Sequence, residues 1–312
     1  MSERLHLDPT EKVEYVRYTE AHKRAQEIKA KRSIGREPKD FIGGPLYTKN
    51  AIAIMEARVE ELDGIFKDAN AQKTPEHRAR SEQAEMMADC LEGIFLYMHS
   101  WLGPTSKAYP TSKYDDYVNR VDLIIERNQG GMSDHNGLAI DVTYGGPKTI
   151  LKKLKNIRDR VLNGKLGKVD LFKSDDGKYK GQLLDIPLVV VGADANTMKG
   201  LINLFAGKED GQLSEHPFQF QVIDQIILQC DFFIETAKKI KDKDKERSDK
   251  IVSEYTKLKQ TFEALLKLKQ KTIPADVDRN FRDSFHENII TTMNNLRVET
   301  EKVEPVKVDN TK

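Results

Sequence analysis

The 312-residue chain reads as an α/β protein: a mixed-sheet core flanked by helices, with helical additions at both ends. Three observations carry this. Short runs rich in Val, Ile and Leu alternate with Gly and Asp clusters through the middle of the chain, as strands and their turns do. Before and after them, apolar residues recur at three- and four-residue steps, the spacing of amphipathic helices. Residues 186–192 (IPLVVVG) form one continuous apolar run, expected of a strand covered on both faces.

The elements follow in order. Residues 1–50 are polar, with a basic stretch over 17–32 and a break at Gly43-Gly44-Pro45, and predict a peripheral helix and a loop. Over 50–69, Ile54, Ala57, Val59, Leu62 and Phe66 mark one buried helical face. Thr74 and Pro75 suit a helix start, and Gly103-Pro104 stops that helix. Met86, Met87, Tyr97 and Trp101 read as its packing residues. Residues 121–126 (VDLIIE) and 138–143 (LAIDVT) are strands, joined by a polar loop with Gly130, Gly131, Asp134, His135 and Asn136. A helix is expected over 147–162, and then a hairpin of 169–173 with 179–184 around Asp176-Gly177. A further helix covers 196–205.

Beyond His216 the pattern is helical. Ile251, Tyr255, Leu258, Phe262 and Leu265 step in a coiled-coil-like way, which suggests a helical hairpin with 281–296 and allows a homodimer through these helices. The charge run 238–250 reads as a solvated helix face. The organisation expected is a helical extension (1–75), an α/β core (76–235), a helical C-terminal hairpin (236–300) and a disordered tail (301–312).

Composition narrows the function. With 51 Lys+Arg against 50 Asp+Glu the formal charge is +1, so any basic surface is local. A hydrophobic fraction of 38% and a mean hydropathy of -0.61 fit a core with much polar periphery. No apolar run approaches the roughly 18 residues of a membrane span, and MSERLHLDPTEK lacks a signal peptide's apolar stretch, so a soluble cytoplasmic protein without membrane contact is expected. Cys90 and Cys230, among apolar helical residues, read as buried reduced thiols. The histidines lack zinc spacing, His216 before Pro217 reads as a helix-start residue, and Gly145-Gly146-Pro147-Lys148 lacks the spacing of a phosphate loop.

The acidic residues of the two strands stand out. Alternation puts Asp122 on one face with Ile124 and Glu126, and Asp141 on one face with Ala139 and Thr143. A carboxylate inside a sheet is costly unless it holds a cation or accepts several hydrogen bonds. Neighbouring strands would let Asp122 and Asp141 share Mg²⁺ or Mn²⁺; alternatively one caps a turn and the other pairs with a lysine. Asp115 and Asp116 extend such a site or cap a turn. From 144 to 168 there are eight Lys or Arg against one acid, Asp159. Lys152, Lys153, Lys155 and Arg158 could hold backbone phosphates; alternatively the helix is simply solvated, with Ile150, Leu151, Leu154, Ile157 and Val161 inward.

An acidic helix, Asp122 early in a strand, Asp141 in the next strand, then a helix and a strand together resemble the PD-(D/E)XK nuclease superfamily over residues 80–205. The resemblance implies a restriction-endonuclease-like core and a Mg²⁺-dependent nuclease, with DNA favoured over RNA. Asp122 takes the motif's first Asp and Asp141 its second acidic residue. Glu92 takes the helix-borne Glu, with Glu85 and Asp89 on the same side, so that Glu92, Asp122 and Asp141 are the implied metal ligands. Thr143 stands where the motif has its lysine. Lys148, Lys152 or Lys153 from the next helix replaces it, or the fold is a non-catalytic module that binds nucleic acid or protein. The segments YDDYVNRVDLI, GLAIDVTYG and HPFQFQVIDQIILQ also look like families of unassigned function from uncultured bacteria, which adds no chemistry.

Overall fold

A computed structural model describes residues 9–43, 46–127, 138–144, 146–174, 177, 179–240 and 244–302. Helices α1 (Pro9–Arg32), α2 (Lys49–Ala71) and α3 (Pro75–Tyr97) lead into strands β1 (Ser106–Pro110), β2 (Leu123–Arg127) and β3 (Leu138–Thr143). Helix α4 (Pro147–Leu162) follows, then β4 (Gly167–Lys173), β5 (Lys180–Ile186) and β6 (Leu188–Gly192). The chain continues as α5 (Ala195–Ala206), α6 (Asp210–Glu215), α7 (Phe218–Ala237), α8 (Lys245–Thr272) and α9 (Ser284–Lys302).

The three apolar runs of the sequence supply β2, β3 and β6 of one sheet, in the order β1-β2-β3-β6, except that Ile186 of the third run ends β5 in the other sheet. β1 and β3 run antiparallel to β2, and β6 runs parallel to β3. A parallel neighbour needs a crossover; α4 lies within it, its Ile150, Leu154, Ile157 and Val161 buried in the core. The hairpin β4–β5 branches from this crossover as a separate two-stranded sheet. β1 was not expected: SKAYP carries Lys107 and ends on Pro110, tolerable because it is an edge strand.

The outer edge of β6 is closed by side chains rather than by another strand. Gln229 accepts from the Val190 amide (2.8 Å) and donates to the Val190 carbonyl (2.7 Å). Gln225 does the same for Gly192, at 3.2 and 3.0 Å. The Tyr255 hydroxyl accepts from the Leu188 amide and donates to its carbonyl. Four helical residues advance about 6 Å and two strand residues about 6.6 Å, so glutamines four apart on α7 meet every second residue of β6.

Several expectations are corrected. On α2, Ile54 is 63% and Phe66 48% exposed. Only Ile52 of that helix is buried, beside Phe41, Tyr47 and Leu171, in a small cluster apart from the main core. Leu151 points outward, 39% exposed. α8 lies chiefly on α7 and α9 on α4, so the two do not form a hairpin with each other. The apolar residues that suggested a dimer, Ile251, Tyr255, Leu258, Phe262 and Leu265, are covered within the chain. Ala21 and Ala25 of α1 join them and the sheet in one continuous core. Cys90 and Cys230 are buried free thiols, and burial pushes Cys90 up to about 12. The loop with Gly130, Gly131, Asp134, His135 and Asn136, as well as Gly44, Pro45, Gly145 and Asp176, lies outside the described residues; so does the expected tail from 303 onward, while 301–302 end α9.

Candidate functional site

The segment before β2 is a π-helical turn, Asp115–Asn119, in which two adjacent acids separate in role. Asp115 is fully buried and accepts from the amides of Asp170 (2.6 Å) and Leu171 (3.1 Å), from Ser112 Oγ (2.8 Å) and from Asn119 Nδ2 (2.6 Å). Four donors make it the anchor between this turn and β4. Asp116 instead lines a cavity of about 430 Å³ with Asp122, Asp141 and Lys153. Arg120, which closes the turn in the left-handed conformation (φ 58), lines the same cavity. A non-glycine residue held there is strained, and such strain clusters at functional sites.

Asp122 enters the sheet with its amide donating to the Ile140 carbonyl (3.0 Å). The register Leu123↔Ile140, carried one residue back, sets Asp122 opposite Asp141. The Val142 amide donates to Asp122 Oδ2 (2.6 Å). Asp122 stands with Asp116 and Asp141 in one buried carboxylate cluster, each affecting the others' titration. Burial, then the charges of Asp141 and Glu92, holds the Asp122 carboxyl well above the ordinary carboxylate range. Burial likewise raises Asp116 and Asp141, the latter opposed by Lys153. Burial disfavours the Lys153 ammonium, but Asp141 and Asp122 outweigh it and raise its pKa. Lys153 donates to Asp141 Oδ1 and to the Val142 carbonyl (2.9 Å).

Glu92 is buried at the edge of this group and interacts electrostatically with Asp116 and Asp122. Its carboxylate is taken by Lys29 of α1, at 2.6 Å. α1 reaches it because position 93 is glycine: a Cβ there would lie 2.3 Å from Ala25 Cβ. Asp89 pairs with His22 (3.0 Å) and Lys29 (3.8 Å), while Glu85 is exposed. Among the described residues, no three His, Cys, Asp or Glu side chains stand as a ready set of ion ligands.

The structure therefore brings Asp122, Asp141, Lys148 and Lys152 around one cavity, with Glu92 set behind them and turned to Lys29. Thr143 is buried and does not line the cavity. Of the four residues expected to hold phosphates, Lys152 and Lys155 are exposed, and Lys153 is turned inward to Asp141. Arg158 is corrected: it is buried and bonds Asp159, Glu299 and the Leu296 carbonyl, so its charge holds α9 rather than facing solvent. Lys29 and Arg120 were not anticipated. Only the left-handed backbone marks Arg120, and no local pattern marks Lys29.

Fold and site together define a mixed α/β protein with a carboxylate-lysine cavity at one end of β2 and β3. No family model, no curated protein and no solved structure matches the chain. No helix among the described residues is long and apolar enough to cross a membrane.

Proposed function

We propose that the protein is a divalent-metal-dependent phosphodiesterase acting on nucleic acid, built on a restriction-endonuclease-like core. The observation that carries this is the pairing of Asp122 and Asp141 across adjacent strands, with Lys153 on Asp141 in a cavity lined also by Arg120, Lys148 and Lys152. The element order α3-β1-β2-β3-α4-β6, with β2 antiparallel to its neighbours, supports the reading, as does the lysine reaching from α4 toward the strand that carries Thr143.

The donor atoms are of the kind a hard cation takes, although the three carboxylates would have to close around it to serve as ligands. Asp116, Asp122 and Asp141 offer only carboxylate oxygens, the ligands Mg²⁺ and Mn²⁺ take, and their combined charge exceeds what Lys153 neutralises. Such an ion, when bound, supplies Lewis-acid stabilisation and a more acidic water. Asp122 and Asp141 hold it, with Asp116 beside them. Lys153 stabilises charge at the scissile phosphate, while Arg120, Lys148 and Lys152 hold neighbouring phosphates.

The test is cleavage of DNA and RNA with Mg²⁺ or Mn²⁺. Asp141→Asn should abolish cleavage and leave binding largely intact; cleavage that survives Asp141→Asn rejects the site. A second reading, a non-catalytic binding module, is favoured by Lys29 on Glu92 and Lys153 on Asp141, which engage two of the three implied ligands. Tight binding without turnover in any divalent ion would select it.

A further inference from the structure

β2 ends on Arg127, five residues beyond Asp122 and ~17 Å away at the rise of a strand. There, on the opposite end of the strand from the carboxylates, a second cavity of about 270 Å³ opens between the β5–β6 connection and α8. Its walls are apolar at Leu184, Ile186, Pro187 and Leu258. Arg127 lines it while only 8% exposed, with its guanidinium stacked over the Phe262 ring at 4.3 Å. Its Nη2 has no hydrogen-bond partner among the described residues.

The other cations of this cavity are satisfied internally. Lys250 donates to Asp185 (2.5 Å) and Lys257 to Glu254 (2.8 Å). Asp185 stands in the left-handed conformation (φ 57), a second non-glycine residue held in strained backbone at a cavity wall. Once the two pairs cancel, three cations less two anions leave one positive charge, that of Arg127. A buried cation without a counter-charge is strongly disfavoured, and burial indeed lowers Arg127 to about 10. A planar guanidinium with open donors is the group that takes carboxylate or phosphate oxygens two at a time.

We propose that this cavity binds a small organic oxyanion, a carboxylate or phosphate carried on an apolar body, with Arg127 as the anchor. The oxyanion supplies the counter-charge that Arg127 lacks among the described residues, and the apolar body lies against Leu184, Ile186, Pro187 and Leu258. This site is independent of the reading of Asp122 and Asp141.

The experiment is thermal melting and calorimetry of the full chain with benzoate and with phenyl phosphate, and with benzyl alcohol as the neutral control. Either anion should raise Tm saturably, because a ligand held only by the folded state stabilises it, and benzyl alcohol should not. Comparing the two anions tells a carboxylate site from a phosphate site. Arg127→Met should lose the response. Arg127→Lys, which keeps the charge but not the fork, should bind at least ~10-fold more weakly. A wild-type protein with no saturable response to either anion overturns the proposal, as does Arg127→Lys binding as tightly as wild type.

Discussion

Lys153 reaches from α4 to the Asp141 carboxylate and steadies itself on the Val142 carbonyl, so a helix side chain sits against the strand whose own Thr143 carries no charge. Removing it has two separable consequences. Lys153→Met leaves Asp141 buried without its cation, which should cost about 3 kcal/mol, the low end for a buried pair, because Lys153 keeps 23% side-chain exposure. It should also slow metal-dependent cleavage by at least ~10²-fold, as expected for one lost electrostatic stabiliser. Adding Asp141→Asn should restore stability in urea titration without restoring turnover. A double variant as unstable as the single would place the lysine's contribution elsewhere.

Asp122 yields a prediction in pH. Burial, then Asp141 and Glu92, raises its carboxyl in the folded protein, whereas the unfolded chain titrates near ~4. A folded pKa above the unfolded one gives stability that is fully present below pH ~4 and is lost as pH rises through the folded value. Asp122→Asn removes that loss. In EDTA the variant should match wild type near pH 4 and melt higher at pH 8. Mg²⁺ should then reverse the order, stabilising wild type and leaving the variant unchanged. An Asp122→Asn protein that melts lower than wild type at pH 8 in EDTA contradicts the assignment.

Gly93 links the N-terminal helix to the site. Gly93→Ala puts a methyl 2.3 Å from Ala25 Cβ and 2.6 Å from Ala25 Cα. α1 must retreat, and Lys29 with it, which frees Glu92. Overpacking of this kind costs about 1–3 kcal/mol. Ala25→Gly should rescue only part of it, because the backbone contact remains. Lys29→Met, which deletes the cation without moving α1, leaves Glu92 buried without its partner and should both destabilise the fold and change the pH dependence of any cleavage. Full rescue by Ala25→Gly would show that side-chain crowding alone sets the spacing.

What could be read from the sequence follows from where burial leaves a local trace. β2, β3 and β6 were legible because strands covered on both faces are rich in Val, Ile and Leu, unbroken in β6 and interrupted by charge in the runs of β2 and β3, and all three are buried throughout. β1 was not, since Lys107 and Pro110 hide a five-residue edge strand. The stripe on α2 reports amphipathicity but cannot report a partner, hence the exposure of Ile54 and Phe66. Asp122 and Asp141 stood out because charge inside an apolar run is costly. Lys29 did not, since it meets Glu92 across 63 residues of chain, which only the packing of α1 on α3 determines.

The glutamines of α7 were visible as residues but not as a device, and they give the last prediction. Gln225 and Gln229 are fully buried, and each satisfies an amide and a carbonyl on the outer edge of β6. Gln229→Leu keeps the bulk but leaves the Val190 N–H and C=O without partners. At about 1–3 kcal/mol per orphaned buried group, the loss should be about 2–6 kcal/mol. Native-state hydrogen exchange should locate it, with the Val190 amide losing protection ahead of the Val189 and Val191 amides, which face β3. Gln229→Glu separates hydrogen bonding from packing. A protonated glutamic acid still donates and accepts, whereas its carboxylate cannot donate to the Val190 carbonyl and is buried as a charge. Burial raises its folded pKa, so the variant should approach wild type in acid and lose stability as pH rises through that value. A Gln229→Glu protein whose deficit does not change with pH would mean that the edge of β6 is closed by shape rather than by these hydrogen bonds.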